Sequence, residues 1–311
     1  MSEFDEARFH DDDAARKHLE SIRWPNDRII CPHCRASGRV FRIESQTKGN
    51  GKRKGARPGL LFCGDCRKQF SVTVGTVFED SKIPLHKWVL ATHLLCSSKK
   101  GISSHQLHRI LGVTYKTAWF MTHRIRKAME PDYFNAKALG GNGPVEADET
   151  FVGKKRGVKK HKGYAHKHAV LSLVERGGEV RSFHVPSVSA KTLKPYLKYH
   201  IDPDAHLMTD DAGQYRILGP EFAQHDVVAH SNDEYVRGEA HTNTLESFFS
   251  ILKRGLIGVY QHVGAQHLQR YVTEFDFRYN HRSKLGFDDT MREAQALKGI
   301  ADKRLTYRRL G

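Results

Sequence analysis

Long apolar runs are absent from this sequence of 311 residues. The longest candidate, WVLATHLLC at 88–96, is too short to cross a bilayer and is interrupted by His93. The amino terminus, MSEFDEARFHDDD, is acidic and lacks an apolar centre, which is not typical of a signal peptide. We therefore expect a cytoplasmic protein with no membrane partner, long enough for two domains and a buried core.

Acidic residues are fewer than basic residues. Asp and Glu total 35 against 51 Lys and Arg, which gives a formal net charge of +16 at pH 7. Such an excess indicates a polyanionic partner, most simply nucleic acid, although a basic surface can also serve solubility alone. Basic residues concentrate in two Gly-rich stretches, KGNGKRKGAR at 48–57 and GKKRGVKKHKG at 153–163, which predicts loops that suit phosphate contacts.

Cysteine is also rare, but its spacing is informative. Four of the five cysteines form two C-x2-C pairs, Cys31 with Cys34 and Cys63 with Cys66. Each pair lets a tight turn present two thiolates to one ion, and two such turns complete a tetrahedral zinc site. The alternative is four ordinary buried thiols, since disulfides are rare in a reducing cytoplasm. We predict a zinc ribbon with these four ligands, and we expect Cys96 to be a core residue.

Patterning along the chain predicts four segments and an α/β fold class. They are an N-terminal helix with the zinc ribbon (1–80), a helix-turn-helix region (81–137), an α/β region (138–285) and a C-terminal helical tail (286–311). Within the α/β region, a hairpin is predicted at Gly177-Gly178 and a helix at 189–199. Strands mixed with helices favour a single α/β domain there.

The helical region contains ISSHQLHRILGVTYKTAWFMTHRIRKAM at 102–129. It divides into two helices at the Gly112 turn, and Thr114 is a suitable N-cap for the second helix. This pattern is typical of a helix-turn-helix whose second helix meets a duplex, and an ordinary helical hairpin is the alternative. The basic balance of the chain favours DNA binding. The candidate DNA contacts here are Tyr115, Lys116, Thr117, Arg124 and Arg126.

Three acidic positions fall in separate elements of the α/β region. Asp148 lies inside the apolar strand VEADETFV, Asp210 or Asp211 ends the strand of HLMTDDAGQY, and Glu246 lies near the start of the helix in HTNTLESFFSILKR. A carboxylate in an apolar strand is costly unless it is paired or binds a metal. Taken singly, each acid is more commonly a turn or surface residue. Together at one sheet edge they could hold two Mg²⁺ ions for phosphoryl transfer.

These motifs together resemble one protein family over residues 10–285. The stretches CPHC, FCGDCRKQFSVTVGTVFEDSKIPLHKWVLA, GPVEADETFVG, MTDDAGQY and HTNTLESFFSILKRGLIGVYQHV occur in the same order in transposases of the IS1595 (ISXO2-like) group. The resemblance implies a zinc ribbon, a helix-turn-helix and an RNase H-like DDE catalytic domain. It also implies an enzyme that depends on Mg²⁺ or Mn²⁺ and cuts and joins DNA at the ends of an insertion sequence.

Carried over to this chain, the three acids of the family pattern fall on Asp148, Asp210 and Glu246. Asn243, one helical turn before Glu246, is a candidate neighbour in the site, but a carboxylate binds Mg²⁺ better than an amide does. Because strand side chains alternate between faces, Asp211 should turn away from the ions and cap the following turn.

The same motif adds further candidates near the third acid. Lys253 and Arg254 could contact the bound strand, and His230 and His241 could hydrogen-bond a phosphate, although structural roles are commoner for histidine. The resemblance implies double-stranded DNA at element ends and target as the partner, and further copies of the chain in a homodimer or larger complex. A location at the bacterial nucleoid is expected. The alternative function is a DNA-binding regulator, or a domesticated relative that no longer cuts.

Overall fold

The computed structural model describes residues 3–43, 46–47, 53–54, 57–160, 163–228 and 242–306. The chain forms two compact units. The first unit combines Met1–Ser98, Ile102–Met129 and Asp288–Gly311, and the second combines Lys99–Gly101 with Glu130–Phe287. Among the described residues, every helix is too short or too polar to cross a membrane.

The α-helices are α1 (Asp12–Arg23), α2 (Leu85–Ser97), α3 (Ser104–Leu111), α4 (Tyr115–Ala128), α5 (Ala190–His200), α6 (Gly213–Leu218), α7 (Asn243–Gly255), α8 (Ala265–Asn280) and α9 (Asp289–Lys298). The strands are β1 (Val40–Arg42), β2 (Gln46–Thr47), β3 (Arg53–Lys54), β4 (Leu61–Cys63), β5 (Gln69–Phe70), β6 (Val145–Val152), β7 (His168–Glu175), β8 (Val180–Val185), β9 (His206–Asp210) and β10 (Gln224–Val228).

The cysteine turns of the first unit are joined by a small antiparallel sheet of order β1-β4-β5. Val40 pairs with Cys63 in this sheet, and the Gly64 amide donates to the Arg39 carbonyl at 2.7 Å. The other turn is closed by the Cys31 amide, which donates to the Ala36 carbonyl at 2.9 Å. Backbone hydrogen bonds thus hold both cysteine turns in compact loops, as a metal site requires.

The predicted division of residues 102–129 into two helices at Gly112 is confirmed. Gly112 ends α3 with φ +59°, a left-handed conformation that glycine adopts without a Cβ clash. Thr114 is the N-cap of α4, and its hydroxyl accepts a hydrogen bond from the Thr117 amide at 3.2 Å. Apolar side chains on both helices, such as Leu107 and Met121, are buried.

The last helix belongs to the first unit. In α9, Glu293 is fully buried and its carboxylate lies 3.0 Å from Nδ1 of His93 in α2. Arg292 donates to the Cys96 carbonyl at 3.1 Å. The helix of residues 286–311, which were predicted to form a C-terminal tail, therefore packs within a core that also contains α2.

The second unit is built on a mixed sheet of order β10-β9-β6-β7-β8. Strands β6, β7 and β8 are antiparallel, whereas β9 runs parallel to β6 and β10 runs parallel to β9. The predicted hairpin at Gly177 joins β7 to β8, and the predicted helix at 189–199 is α5. These observations confirm the mixed α/β class.

Helices cover both faces of this sheet. One face packs against α5 and α6, with Val145, Ala147 and Leu207 in its core. The opposite face packs against α7 and α8, with Val152 and Val170 in its core. Because successive strand residues point to opposite faces, this assignment decides which acidic side chains can meet.

Candidate active site

Asp148 lies on the α7 face of strand β6. Val145 and Ala147 belong to the α5–α6 core and Val152 to the α7–α8 core, so even-numbered residues of β6 face α7. Asp148 is mostly buried there, and one of its carboxylate oxygens accepts a hydrogen bond from the Glu149 amide at 2.6 Å.

Asp210 lies on the same face of the neighbouring parallel strand. Glu146 pairs with Met208 in the β6–β9 register, and Asp148 and Asp210 each lie two residues beyond that pair. Leu207 belongs to the α5–α6 core, so Asp210, three residues later, faces α7 as Asp148 does. The parallel pairing therefore brings Asp148 and Asp210 to one position of the sheet.

The turn after β9 is bonded by the first of the two adjacent aspartates. The Asp210 carboxylate accepts a hydrogen bond from the Ala212 amide at 3.2 Å, and the cap expected from Asp211 stays a prediction. Strand β9 ends at Asp210, so this side chain is close enough to the turn to bond an amide two residues on. Asp210 thus combines the turn contact with its place beside Asp148.

Glu246 lies in the first turn of α7, on an exposed position beside the same face. Its amide donates to the Thr242 carbonyl at 3.0 Å, and Asn243 is also exposed. The Thr242 side chain, at the N-cap position, makes no capping bond, and the Thr244 hydroxyl donates to Glu146. The first turn is bound by Glu146, a carboxylate in β6 that the sequence reasoning missed.

The neighbouring acids alter the pKa of Asp148. Burial, together with the charges of Asp210, Glu149 and Glu246, raises the pKa of Asp148 to about 8. Within the described residues, however, the oxygens of the three predicted ligands do not all lie within 4.8 Å of one another. The donor set suits a hard divalent cation, since carboxylate oxygens are its preferred ligands and their repulsion would be relieved by it.

Glu149 is a second carboxylate that the sequence reasoning missed. It points to the α6 side, where the Tyr215 hydroxyl donates to it at 2.7 Å and the Gln214 amide at 3.2 Å. Burial raises its pKa to about 7. The signal for both missed residues was in the stretch VEADETFV, where three carboxylates occupy a strand that is otherwise largely apolar.

A cleft of about 740 Å³ opens over these acids. Asp148, Glu149 and Asp210 line it together with Lys253, and the rings of Phe151 and Tyr164 stack 4.6 Å apart in its wall. Lys253 is exposed at this cleft, which suits a contact with a phosphate. Arg254 is exposed as well, and its Nε donates to the Ser250 carbonyl at 3.2 Å. His230 and His241 lie outside the described residues.

The four predicted zinc ligands form a close cluster. Their sulfur atoms all lie within 4.8 Å of one another, with Cys31 and Cys66 Sγ 3.7 Å apart and Cys34 and Cys63 Sγ 3.6 Å apart. A tetrahedral ion with Zn–S bonds of about 2.3 Å separates its sulfurs by roughly 3.8 Å, so the cluster fits zinc. Backbone amides of Cys66 and Asp65 lower the pKa of Cys63 to about 7, which favours the thiolate.

The five candidate DNA contacts of α4 divide into two groups. Tyr115 and Lys116 are exposed at the helix start with Thr117 beside them, and Tyr115 stacks on His105 at 4.3 Å. Arg124 is buried, donates to the Glu79 carbonyl at 2.9 Å and lies over the Phe120 ring.

Arg126 is also buried, 1% exposed, and donates to the Thr122 hydroxyl at 3.0 Å. Residues 121–126 of α4 are all buried, so this part of the helix is enclosed on every side and both arginines lie inside the unit.

Fold and site together define a zinc-ribbon protein with a mixed α/β unit and an acidic cleft. Residues 140–280 match the ISXO2-like transposase domain of the IS1595 group, and residues 10–69 match the transposase zinc-ribbon domain of that group. The chain belongs to this transposase family, as its motifs predict, and the family indicates an insertion-sequence transposase.

Two relatives agree with this assignment. A Halobacterium salinarum protein, described as an uncharacterized protein in transposable element ISH50, is 30% identical over 277 residues, covering 84% of this chain and 88% of the relative. An uncharacterized transposase-like protein of Haemophilus influenzae is 26% identical over 96 residues, covering 31% of this chain and 76% of its own.

Proposed function

We propose that this chain is a DDE transposase that binds the terminal inverted repeats of its element, cleaves DNA and transfers the freed strand. The supporting observation is the common face of Asp148 and Asp210 on adjacent parallel strands, beside the first turn of α7 with Glu246. Family membership supports the same conclusion. In this proposal residues 138–285 form the RNase H-like catalytic domain, whereas α9 belongs to the first unit.

Asp148, Asp210 and Glu246 would hold Mg²⁺ or Mn²⁺ in this proposal. Such ions, when bound, activate the attacking oxygen and neutralise charge on the phosphate that is cut. The protein side chains position the strand: Lys253 at the cleft contacts a phosphate, and Arg254 lies one residue further along α7. Water attacks phosphorus and a 3′-hydroxyl leaves; that hydroxyl then attacks a target phosphodiester, whose 3′ oxygen leaves in turn.

DNA recognition is assigned to the first unit. The helix-turn-helix of α3 and α4 would present Tyr115, Lys116 and Thr117 to a duplex, and the zinc ribbon would add further contacts. Arg124 and Arg126 are left out of this set because their side chains are buried. Two element ends must be brought together for transfer, so we also propose a homodimer or larger complex on DNA.

The test is cleavage of a supercoiled plasmid that carries the sequences flanking the coding region of this chain. Wild-type protein with Mg²⁺ or Mn²⁺ should nick at the element ends, and Asp148→Ala, Asp210→Ala and Glu246→Ala should each fail to do so. Equal nicking by all four proteins would reject the assigned residues. A wild type that binds the ends and never cuts would instead favour a regulator or a domesticated relative.

A further inference from the structure

Glu146 is a carboxylate with no assigned role, and it is completely buried. It lies on β6 two residues before Asp148, on the same face of the sheet. A buried charge is retained in a fold only when its oxygens are bonded by donors or opposite charges. The hydrogen-bond donors to Glu146 therefore indicate its role.

Those partners join the strand to helix α7. One oxygen of Glu146 accepts hydrogen bonds from the Thr244 and Leu245 amides, both at 3.1 Å. The other accepts from the Thr244 hydroxyl at 2.8 Å and from Nε of Arg176 at 2.7 Å. Backbone, hydroxyl and guanidinium donors thus satisfy both oxygens.

Helix α7 depends on this carboxylate for its N-cap. The first amides of a helix have no partner within the helix, and a side chain at the N-cap position usually supplies one. The Thr242 side chain at that position makes no capping bond, and Glu146 supplies the acceptor from another element. Its negative charge also suits the positive end of the helix dipole.

Glu146 links the two elements that carry the predicted metal ligands Asp148 and Glu246. Along β6, Asp148 lies about 7 Å beyond Glu146 on the same face. Along α7, Glu246 directly follows Leu245, whose amide Glu146 binds. We infer that Glu146 is a positioning residue that holds Glu246 at a set distance from Asp148. This inference rests on the proposed function, because it assumes that Glu246 binds a divalent ion.

The chain offers a matched control on the next strand. Glu175 ends β7, is also buried, and accepts hydrogen bonds from the Gly140 and Asn142 amides at 3.2 and 2.7 Å. Strand alternation directs it to the α5–α6 face, away from α7. Glu146→Gln and Glu175→Gln therefore remove the same kind of contact, and only the first touches the helix of Glu246.

The first measurement is Mn²⁺ binding to the full chain, monitored through the spectroscopic signal of the unbound Mn²⁺. Glu146→Gln should weaken binding about 10-fold or more, as loss of a residue that orients a ligand does. Glu175→Gln should stay within about 2-fold of wild type even if both variants melt at the same lower temperature. In a Glu246→Ala background, Glu146→Gln should add no further loss, since the two act through one group.

Hydrogen exchange gives a readout that needs neither metal nor activity. The amides of Thr244 and Leu245 should exchange faster in Glu146→Gln and at the wild-type rate in Glu175→Gln. Thr244→Val removes the hydroxyl bond alone and should change exchange and Mn²⁺ binding in the same direction by a smaller factor. It also keeps the test available should Glu146→Gln fail to fold.

The outcomes separate this inference from the proposed function. Wild-type Mn²⁺ binding in Glu146→Gln and in Thr244→Val, or losses that multiply with that of Glu246→Ala, would overturn the positioning role. Mn²⁺ binding by wild type without any nicking would reject the transposase chemistry and leave the positioning role standing. A wild type that binds no Mn²⁺ would overturn both.

Discussion

The carboxylate site and the cysteine site of this chain are assembled in different ways. The four sulfurs come from two C-x2-C turns, and all lie within 4.8 Å of one another. The carboxylates of Asp148, Asp210 and Glu246 come from two strands and a helix, and within the described residues they do not converge to that distance. The thiol site is set by local turns, and the carboxylate site is set by the packing of a whole unit.

Charge explains why the sulfur atoms lie closer together than the carboxylate oxygens do. Protonated thiols can approach without repulsion, and a turn amide can stabilise one thiolate, as at Cys63. Carboxylates repel one another, and burial with Asp210 and Glu149 nearby raises the pKa of Asp148 to about 8. A ribbon of few residues therefore needs its ion to fold, whereas the carboxylate site must be held together by the fold until an ion arrives.

The largest expected effect is loss of the zinc ion. Cys31→Ser should reduce zinc from about one ion per chain to almost none, because a tetrahedral site needs all four thiolates. The ribbon should then be cut readily by protease, since zinc binding supplies roughly 10 kcal/mol or more to such folds. Metal analysis and limited proteolysis measure this.

Cys96→Ser is the matched control for that substitution. Cys96 is buried in α2 and is not part of the four-sulfur cluster. The variant should retain its zinc and a protease-resistant ribbon. Equal zinc in Cys31→Ser and Cys96→Ser would show that the four thiols do not bind the ion.

The next largest effect separates the adjacent aspartates. Asp210→Asn should reduce DNA nicking about 10³-fold or more, because it removes a charge that an ion and the reacting phosphate would use. Asp211→Asn, one residue past the end of β9, should change nicking only a few-fold. The rates are measured on the supercoiled plasmid at saturating Mg²⁺, and equal losses would contradict the assignment.

A smaller effect concerns stability without metal. The pKa of Asp148 is about 8 in the folded chain and about 3.9 in the unfolded chain, so folding favours its protonated form. The folded state is therefore disfavoured progressively as pH rises from 4 to 8. Asp148→Asn should raise the melting temperature at pH 8 by about 2–4 °C for each kcal/mol relieved.

The pH profile provides its own control. At pH 4 the wild type and Asp148→Asn should melt together, since the carboxyl is protonated in the folded state. Added Mn²⁺ should stabilise the wild type more than the variant. A difference in melting temperature that is constant from pH 4 to 8 would contradict the role of burial and neighbouring charge.

The smallest effect compares two basic residues of one helix. Lys116→Ala should weaken duplex binding roughly 2–5-fold and reduce the salt slope by about one, with an unchanged melting temperature. Arg124→Ala should lower the melting temperature and leave the salt slope unchanged, because its guanidinium is bonded inside the unit. Fluorescence anisotropy across a KCl series measures the slopes, and the reverse result would place Arg124 at the DNA.

Local features were predictable because neighbouring residues decide them. Gly112 and Thr114 mark the end of one helix and the start of the next, and Gly177 marks a hairpin, each through its own backbone or side-chain chemistry. Burial of Arg124 was not predictable from composition, since a basic balance does not say which face of a helix turns inward. The place of α9 depends on its fit against α2, which no local pattern encodes.

The sequence by itself determined the two cysteine turns, the strands and helices that carry the acids, and the family to which the chain belongs. Short-range spacing suffices for these, because turns, caps and alternation act over a few residues. Only the tertiary structure decided that Asp148 and Asp210 share a face and that Glu146 binds the start of α7. Those relations need parallel pairing of distant strands and a buried charge whose partners lie about 100 residues away.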